Sequence, residues 1–150
     1  MAGRPDADPY ARAYVARTGR LPLSSKNIQY FIAKTDNQGL RLLGKCEYII
    51  ENTDIMSEWW SLAAFDDNGK LQRNNAQRYA FNSSTILRDT EGKYKIRLSA
   101  FPRARNWLPT NLDNKITLLF RLHSPASSAL TPHTGATRAS LPSIRRVTCG

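Results

Sequence analysis

The side chains best suited to chemistry in this chain gather in a few short stretches. Arg78-Tyr79, Arg105-Asn106-Trp107-Leu108-Pro109 and Arg121 place guanidinium, phenol, amide and indole groups in or beside apolar runs, and Trp59-Trp60 opens another such run. Tryptophan buries a large area but needs an acceptor for its N–H. Arginine offers a planar fork suited to carboxylates and to aromatic faces, and it is costly inside an apolar strand unless paired. Two readings follow. In the first, these arginines pair with Glu58, Asp89 or backbone carbonyls and lock the fold. In the second, Arg78, Tyr79, Asn106, Trp107 and Arg121 converge at one end of the domain and hold an anionic or polar small ligand. The first is the more economical, because Trp, Tyr, Asn and Pro serve packing and turns at least as naturally as chemistry.

Catalytic patterns are hard to find. There is no Gly-x-Ser-x-Gly elbow and no phosphate-binding glycine loop, and neither His123 nor His133 sits in a nucleophile motif. His123 continues past the apolar run ending at Leu122 and reads as a strand-end residue; His133 lies in a polar loop. Two histidines ten residues apart lack the pairing of a helical metal site. Asp66-Asp67-Asn68-Gly69 resembles a calcium loop only superficially, since its glycine comes fourth and no glutamate follows at the twelfth position. A turn is the better reading. Asn82-Ser83-Ser84 matches a glycosylation acceptor, a pattern common by chance; Asn82 is expected in a turn. The catalytic residues are therefore left unassigned, and neither a metal nor a cofactor is expected.

The formal charge is +10 over 150 residues. Such a balance suits nucleic acid, anionic lipid or an acidic partner. The basic residues are scattered, however, with Arg145-Arg146 the only adjacent pair, and no recognition helix or zinc finger is visible. Nucleic acid is not the expected partner, and polyanion binding stays as an alternative. The two cysteines, Cys46 and Cys149, fit neither a zinc nor a Cys-x-x-Cys motif. In an oxidising compartment a bridge between them would close a loop of about 100 residues, worth up to about 4.7 kcal/mol in the chain-entropy model. In a reducing one they would be two free thiols. Their spacing leaves both open.

The elements that must position these groups are mostly strands. Residues 1–26 read as a lead-in with a short helix near 9–18, where Asp8-Pro9 makes an N-cap and first-turn proline and Tyr10, Ala13 and Tyr14 form one side. From 27 to 150 the period becomes two. Ile28/Tyr30/Ile32, Cys46/Tyr48/Ile50, Tyr94/Ile96/Leu98 and Ile116/Leu118/Phe120/Leu122 alternate with their neighbours. Trp59 to Phe65 is apolar on nearly both sides, as a central strand would be. Arg78 to Phe81 is short and aromatic, Ser83 could cap one helical turn, and Ile144 to Cys149 could return to a sheet. Asp36-Asn37-Gln38-Gly39 and Asp66-Asp67-Asn68-Gly69 are turns, and residues 124–140 form a polar crossing. The expected fold is all-β, an antiparallel two-sheet β-sandwich with a short N-terminal helix. No apolar run of about 18 residues and no signal peptide is visible.

Several of these residues carry a family resemblance. Trp59-Trp60-Ser61-Leu62, Phe65-Asp66 with Asn68-Gly69, Gln77-Arg78-Tyr79, Gly92, Asn106-Trp107-Leu108-Pro109 and Leu119-Phe120-Arg121-Leu122 before Ser124-Pro125 occur in an order that resembles the bacterial domain-of-unknown-function 1214 family. The resemblance is to its short, single-domain members of alphaproteobacterial type, and Leu141-Pro142-Ser143-Ile144-Arg145-Arg146-Val147 with Cys149 resembles their ending. It implies a jelly-roll-like sandwich on the periplasmic side of the inner membrane, with membrane association through an N-terminal anchor not seen in this chain. An envelope location would favour the Cys46–Cys149 bridge. The family brings no established reaction. The function expected is a non-catalytic envelope domain that binds a small ligand or a partner protein, with a hydrolase whose site the fold assembles as an alternative.

Overall fold

The computed structural model describes residues 28–52, 57–125 and 141–150. The helix expected near 9–18, His133 and most of the polar crossing lie outside the described residues. Within them are β1 (Ile28–Ala33), β2 (Cys46–Asn52), β3 (Ser57–Phe65), β4 (Ala80–Asn82), β5 (Tyr94–Ser99), β6 (Trp107–Pro109), β7 (Thr117–Pro125) and β8 (Ser143–Cys149). They form two four-stranded sheets, ordered β1-β7-β3-β4 and β6-β5-β2-β8. The described chain is thus all-β.

Alternation explains the packing. Along β5, Tyr94, Ile96 and Leu98 are buried while Lys95 and Arg97 face water. Tyr48, Ile50, Ile96, Leu98 and Ile144 of one sheet share a core with Trp60, Leu62, Phe81, Leu118, Phe120 and Leu122 of the other. Each such side chain stabilises the fold by about 1.5–3 kcal/mol when fully buried. Trp60 stacks on Tyr94 at 4.9 Å between ring centroids, joining the two layers.

The outer faces differ. The β2/β5 sheet turns Glu47, Glu51, Lys95 and Arg97 outward, with Arg97–Glu47 at 3.3 Å and Lys95–Glu51 at 3.5 Å. On the other sheet the register places Ile28, Tyr30, Ile32, Leu119, Arg121 and His123 together on the side away from the core, beside Trp59, Ser61 and Ala63. Ile28 and Leu119 are only 8% exposed although neither belongs to the central core. This is the two-sided apolar character read from β3, which lies between β7 and β4.

Three turns share one chemistry. Asp36, Asp66 and Asp89 each accept two backbone N–H bonds on Oδ1, from the second and fourth residues beyond. Each is followed three residues later by a glycine with φ of 74–79°. Asp89 therefore spends its carboxylate on its own turn. Asn82 also turns the chain, its Oδ1 accepting from Ser84 N at 2.9 Å and Thr85 N at 3.0 Å. No helical turn follows Ser83; residues 83–85 are hydrogen-bonded turn.

One pairing departs from the antiparallel expectation. β6 runs parallel to β5, with Arg97 opposite Trp107 and Ser99 opposite Pro109. The seven-residue loop between them doubles back through Arg105, whose φ is 66° and whose carbonyl accepts from Trp107 N at 3.0 Å. That tight reversal replaces the long crossover a parallel pair usually needs. The last strand, β8, pairs with β2 and carries Cys149 opposite Cys46, which form a disulfide.

Candidate functional site

Loops 66–79, 100–106 and 110–116 meet around a cleft of about 470 Å³. Trp107 lines it, with Arg73, Asn74 and Asn75 from the first loop, Pro102 from the second, and Asn111 and Asp113 from the third. Its size falls within the range of about 300–1,000 Å³ typical of small-molecule sites.

Each wall is held by buried polar groups. Gln72 is 1% exposed; its Nε2 donates to Phe65 O at 3.1 Å, and its Oε1 accepts from Asn111 N at 3.2 Å and Asn114 Nδ2 at 3.3 Å. This one amide ties the first loop to the third. Thr110 Oγ1 donates to Gly44 O at 3.0 Å. Gly44 itself leaves no space for a side chain, since a Cβ there would stand 1.6 Å from Asn111 O. The second loop is pinned by Arg103, which donates to both carboxylate oxygens of buried Glu47 at 2.7–3.1 Å. Those bonds from Arg103, with Arg97 adding its charge, outweigh burial and hold the Glu47 carboxyl below its usual value.

Backbone strain also concentrates here. Among the described residues, Gln77 (φ 51°) and Arg105 (φ 66°) are the non-glycine positions with positive φ, and both lie in loops bordering the cleft. Such conformations cost on the order of 1–3 kcal/mol each and persist where surroundings enforce them. Asn74 does so for Gln77, its Oδ1 accepting from Arg78 N and its Nδ2 donating to Gln72 O and Arg78 O.

The five residues singled out from the sequence divide into three groups. Trp107 is half-buried, its Nε1 donating to Ser99 O at 2.9 Å, and it lines the cleft. Arg78 is exposed beside it, with Nη1 donating to Trp107 O at 3.1 Å and its guanidinium 5.7 Å from the Phe81 ring centroid. Half-buried Tyr79 adjoins β4, and its carbonyl accepts from Ala64 N. Asn106 is 2% exposed and spends its amide on backbone: Nδ2 donates to Leu87 O and Lys95 O, and Oδ1 accepts from Leu87 N. Arg121 lies away from this cluster, on the outer face of the β7 sheet, 5.8 Å from the Tyr30 ring centroid. His123 shares that face, edge-on to Trp59 at 4.7 Å.

Reading the sequence missed Arg73, Asn75, Asn111 and Asp113, which stand on the cleft, and Gln72, Glu47 and Arg103, which hold it. Among the described residues, the Arg73 guanidinium, the Asn75 amide, Asn111 Nδ2 and the Asp113 carboxylate are uncommitted to hydrogen bonds or ion pairs. The cleft thus combines one indole with four free polar groups on anchored loops.

Residues 27–127 match the model of a family described as a protein of unknown function, DUF1214. The chain belongs to the DUF1214 family. No curated protein matches it in sequence. Among solved structures, this DUF1214 chain is similar to the VPA0106 protein from Vibrio parahaemolyticus, with 23% identity and a TM-score of 0.74 over 95% of this chain and 36% of that one. It is also similar to a putative uncharacterized protein from Burkholderia cenocepacia, with 21% identity and a TM-score of 0.51 over 100% of this chain and 46% of that one. At these identities the likeness speaks to the fold. The DUF1214 chain spans less than half the length of either structure.

Proposed function

We propose that this DUF1214 chain is a non-catalytic β-sandwich of jelly-roll type that binds a small ligand in the cleft over Trp107. The observation that carries this reading is the pairing of the Trp107 ring with the uncommitted groups of Arg73, Asn75, Asn111 and Asp113, on loops tied by Gln72, Thr110 and Arg103. Preorganised loops reduce the ordering cost of binding. An indole beside a few convergent polar groups is the usual make-up of a small-molecule site. The amides, the guanidinium, the carboxylate and the indole can all orient a ligand through hydrogen bonds and stacking.

The place of action belongs to the same proposal. A cross-strand disulfide between Cys46 and Cys149 suits an oxidising compartment, which supports the bacterial cell envelope on the periplasmic side of the inner membrane. There the domain meets a small ligand or an envelope protein that presents one, with membrane attachment through an N-terminal anchor. The test is a saturation-transfer NMR screen of a chemically varied small-molecule set on the wild type and on Trp107→Ala. Ligands seen by the wild type and lost in the folded variant support the proposal; an identical set of ligands for both proteins overturns it.

A further inference from the structure

The charge and hydrogen-bonding inventory of the cleft narrows what it takes. We infer that its ligand is an uncharged, polyhydroxylated molecule of the saccharide class, which stacks a C–H face on Trp107 and gives its hydroxyls to Asn75, Asn111, Asp113 and Arg73. This inference rests on the ligand-binding reading above and specifies the chemistry of that site.

Charge comes first. The arginines that would make an anion site do not assemble one: Arg121 lies on the outer face of the other sheet beside Tyr30, and Arg78 spends Nη1 on Trp107 O. Among the described residues, the lining holds one cation, Arg73, and one anion, Asp113. These two are of opposite sign, so the described lining residues form no cluster of like charge that would mark the cleft for an ionic ligand. An anionic ligand would also carry the cost of desolvating its charge beside Asp113.

Hydrogen-bonding capacity comes second. Asn75 brings an oxygen acceptor and two N–H donors, Asn111 two more donors on Nδ2, Asp113 two acceptor oxygens and Arg73 five donors. Vicinal hydroxyls each donate once and accept twice, and they match planar amide, carboxylate and guanidinium edges in pairs. A flat apolar ligand would leave all four groups unpaired as it excluded water from them, at a cost of about 1–3 kcal/mol for each group buried.

The aromatic count comes third. Among the described residues, Trp107 is the only aromatic residue lining the cleft, and its N–H is already satisfied by Ser99 O. Trp107 is half-buried, and no second aromatic residue stands with it among the described lining residues. Nucleobases and other flat aromatic ligands are commonly gripped between aromatic or apolar side chains. A saccharide ring needs one such face, because its C–H groups gather on one side and its hydroxyls project around the rim. Pro102, Pro109 and Leu112 extend the apolar floor beside the indole.

The test is titration of the purified chain with cellobiose and N,N′-diacetylchitobiose, and separately with benzoate and phenol, following the Trp107 indole N–H signal by NMR. The expected result is a saturable shift with a disaccharide, weakened about tenfold in the Asn75→Ala/Asp113→Ala double variant, the loss of one or two hydrogen bonds. Both side chains are exposed and free of hydrogen bonds among the described residues, and the Asp113 N–H bond to Asn111 Oδ1 is backbone and survives the change, so that variant keeps its fold, and its amide spectrum checks this. A shift with benzoate or phenol and none with either disaccharide overturns the saccharide inference while leaving a ligand site at Trp107. A disaccharide shift equal in the wild type and the double variant also overturns it. Silence with all four probes removes both this inference and the binding reading beneath it.

Discussion

Asn106 and Leu87 are joined at both polar ends, with Nδ2 donating to Leu87 O at 2.7 Å and Leu87 N donating to Oδ1 at 2.8 Å. The side-chain amide thus does for Leu87 what a neighbouring strand would do, and a third bond to Lys95 O fixes it to β5. Asn106→Ala removes all three and strands the partners in a buried setting. A loss of about 3 kcal/mol is expected, measured by urea denaturation. A loss below about 1 kcal/mol, the worth of a single ordinary hydrogen bond, would mean that water replaces the amide at little cost.

Glu47 gives the fold a defined acid response. Its carboxyl is held below its usual value of 4.5, chiefly by hydrogen bonds from Arg103. A depressed folded value means that its stabilisation is fully present above about pH 4.5 and is lost as pH falls through the lower folded value. Arg97 and Arg103 are partly exposed, which weakens the pair by solvent screening. Glu47→Gln should therefore cost about 1–2 kcal/mol at pH 7. That difference should shrink between pH 7 and an acidic pH below the lowered folded value, where the wild-type carboxyl is protonated too. Equal differences at both pH values would contradict this account of the pair.

The Cys46–Cys149 bridge spans 103 positions. Breaking it by a Cys46→Ala/Cys149→Ala change is expected to cost about 2–5 kcal/mol. Intact mass after alkylation, with and without reductant, gives the chemical check. Two alkylated thiols in protein isolated without reductant would count against the bridge.

Arg78 and Arg121 separate the cleft from the outer sheet face. Arg78→Ala removes a bond to Trp107 O and should weaken ligand binding roughly threefold to tenfold, the worth of one hydrogen bond. Arg121→Ala should leave binding unchanged and cost about 0.5–1 kcal/mol of stability through its contact with Tyr30. The reverse pattern, with Arg121 governing affinity, would move the site to the face shared with Trp59 and His123.

How far the sequence led varies with the type of signal. Strands with period two were legible, from Ile28–Ala33 to the run Ile116 to Leu122, because burial of alternate residues writes itself directly into the chain. The turns at Asp36 and Asp66 were legible through their Asp and Gly positions. β6 was not: three residues, Trp107-Leu108-Pro109, are too few to show a period, and their parallel pairing depends on the reversal at Arg105. The site was legible in part. Trp107 stood out by type, but Arg73, Asn75, Asn111 and Asp113 look like ordinary loop residues until three distant loops meet. Gln72 and Glu47 carry no mark in the sequence of being buried, since their partners lie 39 and 56 positions away.

The central claim is that ligand binds over Trp107, and the chain has three tryptophans with which to check it. Their indole N–H signals can be followed by ¹⁵N–¹H NMR during titration with a screened ligand, the Trp107 signal being the one lost in Trp107→Phe. The expected result is movement of that signal and of backbone amides in 73–76 and 110–113, while buried Trp60 stays still. Movement confined to Trp59 or Trp60, with Trp107 unmoved at saturation, would contradict it.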